Sequence, residues 1–409
     1  MSTIKKLTTV DEWCESDRVL STAFLDPYDE KESRKRFQAQ ADGKIPREEE
    51  AWGVFDPEGK MVTSITTLQK KLSFVGCLIS VGEGHMLGSL PESRGKGNVR
   101  DLLGSVLIDF RERGNLFAIL IPFSFAFYRQ FGFELVSKDL TQSADIEQFA
   151  DFPCTLNVRQ LASQADVDLA KNLYQRQILK YNLADAKTEN DWTYQGNGEF
   201  GPRDWFHKGN QKYTYLFTDK NGRARGYVTF LYVTGEFGPF IGNMKVTEII
   251  FDSPEALSSI FGFFYRLRAK IRKIEIEFLD PVDLATLLPE CDSVEITVGG
   301  HYMARVLDIA KVLSLLSMPS GQGSFVIHVD DDFMSENTGS YKVLFKDGKT
   351  VSVELTNQEA DLIVNEDTFT SLAVGRINLA QALYRPGTIL QNNEKLLEQV
   401  FISKTTCLR

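Results

Sequence analysis

The sequence predicts an α+β chain of two successive α/β domains built to one plan, followed by a last α+β domain made of hairpins and a helix. Three observations point there. Residues 84–134, GHMLGSLPESRGKGNVRDLLGSVLIDFRERGNLFAILIPFSFAFYRQFGFE, read as strand, glycine-rich basic turn, helix and strand. Residues 246–279 repeat that succession. From Phe325 onward short alternating runs are joined by tight turns. At 409 residues the chain exceeds one ordinary core, so domains are expected at 1–150, 151–295 and 296–409.

In chain order, Asp11 to Leu25 carries apolar residues at helical spacing (Trp13, Cys14, Val19, Leu20, Ala23, Phe24), and a highly charged segment follows from Asp26. Ala51 to Phe55 and Met61 to Leu68 flank Asp56-Pro57-Glu58-Gly59, whose proline and glycine suit a type I turn. Leu72 to Val81 is strand-rich and leads to the apolar run His85 to Leu90, ended by Pro91. The next helix has Val99, Leu102, Leu103, Val106, Leu107 and Phe110 on one face and Gly114 as its stop. Leu116 to Ile121, wholly apolar, reads as a buried strand.

The second domain has its own hairpin at Asp219-Lys220-Asn221-Gly222, a strand at Val246 to Phe251, an amphipathic helix at Pro254 to Ile271 and a strand at Ile274 to Leu279. In the last domain Phe325, Ile327 and Val329 alternate, as do Tyr341, Val343 and Phe345. The Asp347-Gly348 turn returns the chain through Val351, Val353 and Leu355, and Asp367 to Val374 is helical up to Gly375.

Composition narrows the class. Hydrophobic residues at 43% and charged residues at 25% are globular values, which disfavours disorder. A net charge of −10 argues against a nucleic-acid partner, which needs a basic face, and suits cationic ligands. The N-terminal MSTIKKLTTVDEWCESDRVL has no apolar leader region, and no window reaches membrane-span length. Cys14, Cys77, Cys154, Cys291 and Cys407 lie far apart, as expected of free thiols in the cytoplasm, and four scattered histidines outline no metal cluster.

The chemistry-bearing stretch is Arg94-Gly95-Lys96-Gly97-Asn98-Val99. It sets two cations and two glycines where a helix begins, and the first N–H groups of a helix have no partner within it. Glycines admit an anion close to the backbone, so the turn reads as a phosphate cradle, the alternative being a basic loop without ligand. The corresponding turn of the second domain, Asp252-Ser253-Pro254-Glu255, carries two carboxylates that would repel a pyrophosphate. A helix cap there, from Asp252 or Ser253, fits a duplicate without a site.

The turn from Arg94 to Val99 resembles the R/Q-x-x-G-x-G/A signature of the GNAT acetyltransferases, with Val99 where a small residue is usual. LIPFSFAFYRQFGFELV is similar to the Y-x-x-F-G-[FY] segment of the Eis-type (enhanced intracellular survival) acetyltransferases, and LPESRGKG to their LP-x-x-R-x-x-G. HYMARVLDIAKVL resembles the opening of that family's third domain, with its MxRVxD segment.

The resemblance implies tandem GNAT domains, the second without cofactor, and a sterol-carrier-protein-like third domain. It implies acetyl-CoA as co-substrate, a primary amine of a cationic small molecule (aminoglycoside-like or lysine-like) as acceptor, and a homo-oligomer, trimer or hexamer. Backbone groups of Met86, Leu87 and Gly88 would bind the pantetheine arm, Arg94 to Val99 the pyrophosphate, and Phe123 and Ser124 would border the arm. Tyr128 is the expected general acid, its alternative being an aromatic packed beside Phe127 and Phe131. The expected base is the α-carboxylate of Arg409, although the family usually ends in an aromatic residue; water with Asp26 or Glu83 is the alternative. Asp26 is also the candidate contact for a cationic acceptor. Two rival functions stay open: a non-catalytic lipid- or acyl-CoA-binding protein, and a transferase using another acyl donor or a peptide acceptor.

Overall fold

Two kinds of turn organise the strands. Gly59, at φ +82°, donates its N–H to Asp56 O at 2.9 Å and closes the first hairpin. Gly222, at φ +77°, does the same with Asp219 at 3.0 Å in the second domain. Asp347 and Gly348 both have positive φ, the type I′ geometry that matches strand twist. A further tight turn at Val75-Gly76, with φ 48° and 79°, divides the expected Leu72–Val81 stretch between two long strands, Met61–Phe74 and Cys77–Ser89. Valine is disfavoured at positive φ, so Gly76 is the one residue of the pair whose type fits that turn.

The computed structural model describes residues 2–196, 198–201, 212–234, 241–277 and 281–406. They form two units: residues up to Val136 together with His301–Lys404, and Ser137–Gly300 together with Thr405 and Thr406. Residues 137–150, assigned from sequence to the first domain, thus fall in the second unit. Among the described residues no helix is long and apolar enough to cross a membrane.

The first unit holds a seven-stranded sheet in the order Thr3–Lys6, Glu50–Phe55, Met61–Phe74, Cys77–Ser89, Phe117–Leu120, Met303–Val306, Glu134–Leu135. Cys77–Ser89 and Phe117–Leu120 are parallel, and the helix Asn98–Glu112 makes the crossover between them. It buries Leu102, Leu103, Val106, Leu107 and Phe110. Gly82 permits this approach, since a methyl there would lie 2.3 Å from the Phe110 ring. The helix Val10–Phe24, closed by a Thr9–Glu12 capping box, covers the other face.

Met303–Val306 corrects one expectation. This stretch, read as the start of the third domain, pairs antiparallel with both Phe117–Leu120 and Glu134–Leu135 inside the first sheet. The second unit has the matching arrangement, with Asp139–Asp145 lying between Ile271–Glu277 and Glu295–Gly299. The central parallel pair there is Gly242–Phe251 with Ile271–Glu277, joined through the helix Pro254–Arg266.

The C-terminal part of the first unit is a five-stranded sheet, ordered Lys349–Thr356, Gly339–Lys346, Gln322–Asp330, Leu362–Asn365, Ile389–Leu390, with the helix Glu366–Val374 stopped by Gly375. A wholly buried ionic group ties it to the first sheet. Arg305 has no exposed surface; its Nη2 donates to Asp331 Oδ2, and its Nη1 lies 3.7 Å from Glu366 Oε2. Glu366 Oε1 accepts from Val306 N at 3.1 Å and Thr370 Oγ1 at 2.8 Å.

Burial pushes the Glu366 carboxyl up to about 8, with Arg305 opposing and Asp331 adding to the rise. A folded-state value above the unfolded one favours the protonated native form, so this contribution is full below about 4.5 and is lost as pH rises through about 8. Thermal melts between pH 6 and 9 should show the wild type losing stability relative to Glu366→Gln as pH rises. A constant difference across that range would place the ionisation elsewhere.

Candidate acyl-donor site

The cleft begins where two strands part. Cys77–Ser89 and Phe117–Leu120 pair in register from Val81–Phe117 to Gly84–Leu120; beyond Gly84 the first strand continues to Ser89 without that neighbour. At the same place it carries a one-residue bulge, because Ile65 faces Leu87 while Thr67 faces Gly84. The edge from His85 to Ser89 is therefore open on one side.

A cavity of about 800 Å³ lies against this edge. Leu87, Gly88 and Ser89 form one wall, residues 93–100 the floor, and Phe123, Phe127, Gln130 and Phe131 the opposite wall. Ala23 and Phe24, at the end of the first helix, complete it. A methyl on Gly88 would come within 2.6 Å of the Ala23 Cβ, so the helix rests directly on the strand.

The turn has the geometry of an anion cradle. Gly95 and Gly97 have φ of +74° and +83°, and a Cβ at either would meet nothing within 4 Å. Gly97 is the N-cap of the helix and offers no side chain to the first-turn N–H groups. The helices starting at Val10, Glu30, Gln164 and Pro254 are instead each capped by a Thr, Asp or Ser side chain. Arg94 reaches from the turn to Ser89 O (3.4 Å) and Ala23 O (3.3 Å), and Asn98 Nδ2 donates to Ser93 O at 3.4 Å. Lys96 stays exposed beside the glycines.

The duplicate turn is closed. Ser253 accepts from Ala256 N at 3.3 Å, and Asp252 takes Arg225 Nε on both oxygens at 2.9 Å. A hollow of about 460 Å³ adjoins it, lined in part by Asp252 and Asp283. The helix Asn98–Glu112 presents bare N–H groups to its cleft; the helix Pro254–Arg266 has its own cap and carboxylates.

Of the residues singled out from sequence, Leu87, Gly88, Arg94, Gly95, Lys96, Gly97, Asn98, Val99 and Phe123 come together in the cleft wall. Met86 stands just outside, its N–H donated to Thr66 Oγ1 at 3.2 Å. Ser124 is an N-cap, accepting from Phe127 N at 3.3 Å at the start of the short helix Phe125–Arg129. Tyr128, on that helix, is buried behind the wall, its ring edge-on to Phe123 (5.6 Å) and Phe127 (5.2 Å). Burial pushes its phenol up to about 12. Glu83 is buried one residue before the strands part and pairs with Lys70 at 3.0 Å. Asp26 is exposed beyond the first helix and does not line the cleft, and Arg409 lies outside the described residues.

Ala23, Phe24, Ser89, Ser93, Arg100, Phe127, Gln130 and Phe131 line the cleft without having been expected there as site residues. Ala23 and Phe24 reach it through helix packing, which no local pattern signals, and Gln130 and Phe131 through the turn after Tyr128.

The comparisons agree with this architecture. The acetyltransferase (GNAT) domain matches residues 3–136, a second acetyltransferase (GNAT) domain matches 186–306, and the sterol carrier protein domain matches 309–408. No curated protein matches the sequence. Among solved structures, a GCN5-related N-acetyltransferase from Anabaena variabilis aligns at TM-score 0.79 and 18% identity over 99% of this chain and 98% of its own. Eis1 from Mycobacterium abscessus aligns at TM-score 0.78 and 17% identity over 100% of this chain and 99% of its own. At such identities the likeness is one of fold. Both α/β domains match the acetyltransferase (GNAT) domain and a sterol carrier protein domain follows them, so this chain is a tandem-domain GNAT acetyltransferase whose fold is like that of Eis1.

Proposed function

We propose that this enzyme transfers acetyl from acetyl-CoA to a primary amine of a cationic small molecule, aminoglycoside-like or lysine-like. The observation that carries the donor half is the uncapped N-terminus of the helix Asn98–Glu112, opening with Arg94 and Lys96 onto the cleft. Backbone N–H groups of residues 95–99 and those two cations hold the pyrophosphate. The open edge at Leu87 and Gly88 takes the pantetheine arm as an added strand and polarises the thioester carbonyl. Acetyl-CoA supplies the activated acyl group. The amine nitrogen bonds to the acyl carbon, the carbon–sulfur bond breaks, and Tyr128 gives its proton to the departing thiolate. The phenol, pushed up to about 12 by burial, carries its proton throughout the neutral range.

The proton leaving the amine goes to a carboxylate, and the reading assigns that role to the α-carboxylate of Arg409. The net charge of −10 supports a cationic acceptor. Cytoplasmic location and assembly into a trimer or hexamer belong to the same reading and rest on cysteine spacing and family resemblance.

Arg94→Ala with Lys96→Ala should weaken CoA binding about tenfold or more by calorimetry, in line with losing two charge-assisted contacts; unchanged affinity would remove the cradle. Tyr128→Phe should lower turnover in a thiol-release assay by on the order of a hundredfold while CoA affinity stays close to wild type. Equal turnover would dismiss Tyr128 as the acid. Deleting residues 407–409 leaves in place Thr405, whose carbonyl accepts from Asn182 N at 3.0 Å. That truncation should abolish most turnover at neutral pH, and full activity would reject the terminal carboxylate as base.

A further inference from the structure

Two motif stretches, one beginning at Tyr128 and the other holding Arg305, meet in the interior. Gly132, of Tyr128-Arg129-Gln130-Phe131-Gly132, has φ +76°, and a methyl there would lie 1.9 Å from Arg305 Nη1. Arg305 belongs to Met303-Ala304-Arg305-Val306. Its Nη1 donates to Phe131 O and its Nη2 to Asp331 Oδ2, so one planar fork spans the turn after Tyr128 and the C-terminal sheet region.

Each end of that fork is itself held. Asp331 accepts from Asn337 Nδ2 (3.0 Å), Phe333 N (3.1 Å) and Met334 N (2.8 Å). Phe131 N and Phe133 N both donate to Tyr128 O, at 3.0 and 3.3 Å. The Phe131 ring lines the cleft and packs edge-on against Phe333 at 5.3 Å. A second tie runs alongside. Glu134 accepts from Arg129 at 2.8 Å and also from Arg385, which pairs with Asp367 at 3.0 Å. Just past its C-terminal end, the short helix carrying Tyr128 is thus held by Arg305 of the first sheet, itself aligned by Asp331 of the sterol-carrier-like region, and through Glu134 by Arg385 of that region.

We propose that Arg305, aligned by Asp331 and Glu366, is a positioning residue for Tyr128, so that the sterol-carrier-like domain sets the geometry of the proton donor. The inference rests on Tyr128 being the acid. A stacked aromatic ring can rotate or slide at little cost, whereas a carbonyl held by a buried guanidinium cannot. A displacement near 1 Å at a reacting group is enough to cost on the order of a hundredfold in rate.

The test is a double-substitution cycle in the full chain, using Arg305→Lys, Tyr128→Phe and both together. Lysine keeps the charge but cannot fork. Asp331→Asn, which keeps the shape and removes the aligning charge, serves in the same cycle where Arg305→Lys does not fold. The expected result is a tenfold or greater loss of kcat for Arg305→Lys in the Tyr128 background, with CoA affinity and amine KM changed less than twofold. In the Tyr128→Phe background the same substitution should change kcat less than twofold. Equal losses in both backgrounds, or a loss that follows CoA affinity, would overturn the proposal and leave Arg305 a support of the fold alone. The Tyr128→Phe single variant separates the two readings: if it turns over like wild type, the acid assignment fails and this inference falls with it.

Discussion

The parting of Cys77–Ser89 from Phe117–Leu120 is the constraint on which the candidate donor site depends. A parallel pair requires a crossover, and here the crossover is a helix that starts just past the end of the first strand. Its N-terminus therefore opens beside the place where the strand edge loses its partner. One chain path supplies both halves of the candidate donor site: an unpaired backbone edge and bare helical N–H groups. The bulge opposite Thr66 sits at this point and turns the edge outward.

The duplicate unit shows that this topology is not sufficient. Gly242–Phe251, Ile271–Glu277 and the helix Pro254–Arg266 reproduce the path, yet Ser253 caps the helix and Asp252 is paired with Arg225. A side-chain cap is worth about 1 kcal/mol to a helix. Forgoing it at Gly97 leaves donors for something else to satisfy. Arg94 and Lys96 against Asp252 and Glu255 then decide the sign of that partner.

The ionic group at Arg305 has a different logic. Buried ion pairs are often no more stabilising than an apolar replacement, while losing one partner costs roughly 3–5 kcal/mol. Such a group is a poor adhesive and a good specifier of geometry. The planar fork admits one orientation of the Phe131 carbonyl, and Gly132 has no side chain because the guanidinium occupies that space. Burial pushes the Glu366 carboxyl up, and the close pair of the group is Arg305 with Asp331.

The sequence by itself determined what depends on neighbours in the chain. The amphipathic face of the helix Asn98–Glu112, the hairpins at Asp56, Asp219 and Asp347, and the contrast between the two turns were legible because periodicity, capping and turn chemistry act over a few residues. The Val75-Gly76 turn escaped because its first residue contradicts its own conformation. What only the tertiary structure decided are the long-range pairings. Met303–Val306 joins a sheet whose other strands end at Leu135, and Arg305 finds Phe131, Asp331 and Glu366. Ala23 and Phe24 border the donor cleft, and Ser124 turned out to be a cap. Nothing local distinguishes a buried four-residue strand of one sheet from that of another. Its place is set by which edge is unpaired when the chain arrives, and that is a property of the whole fold.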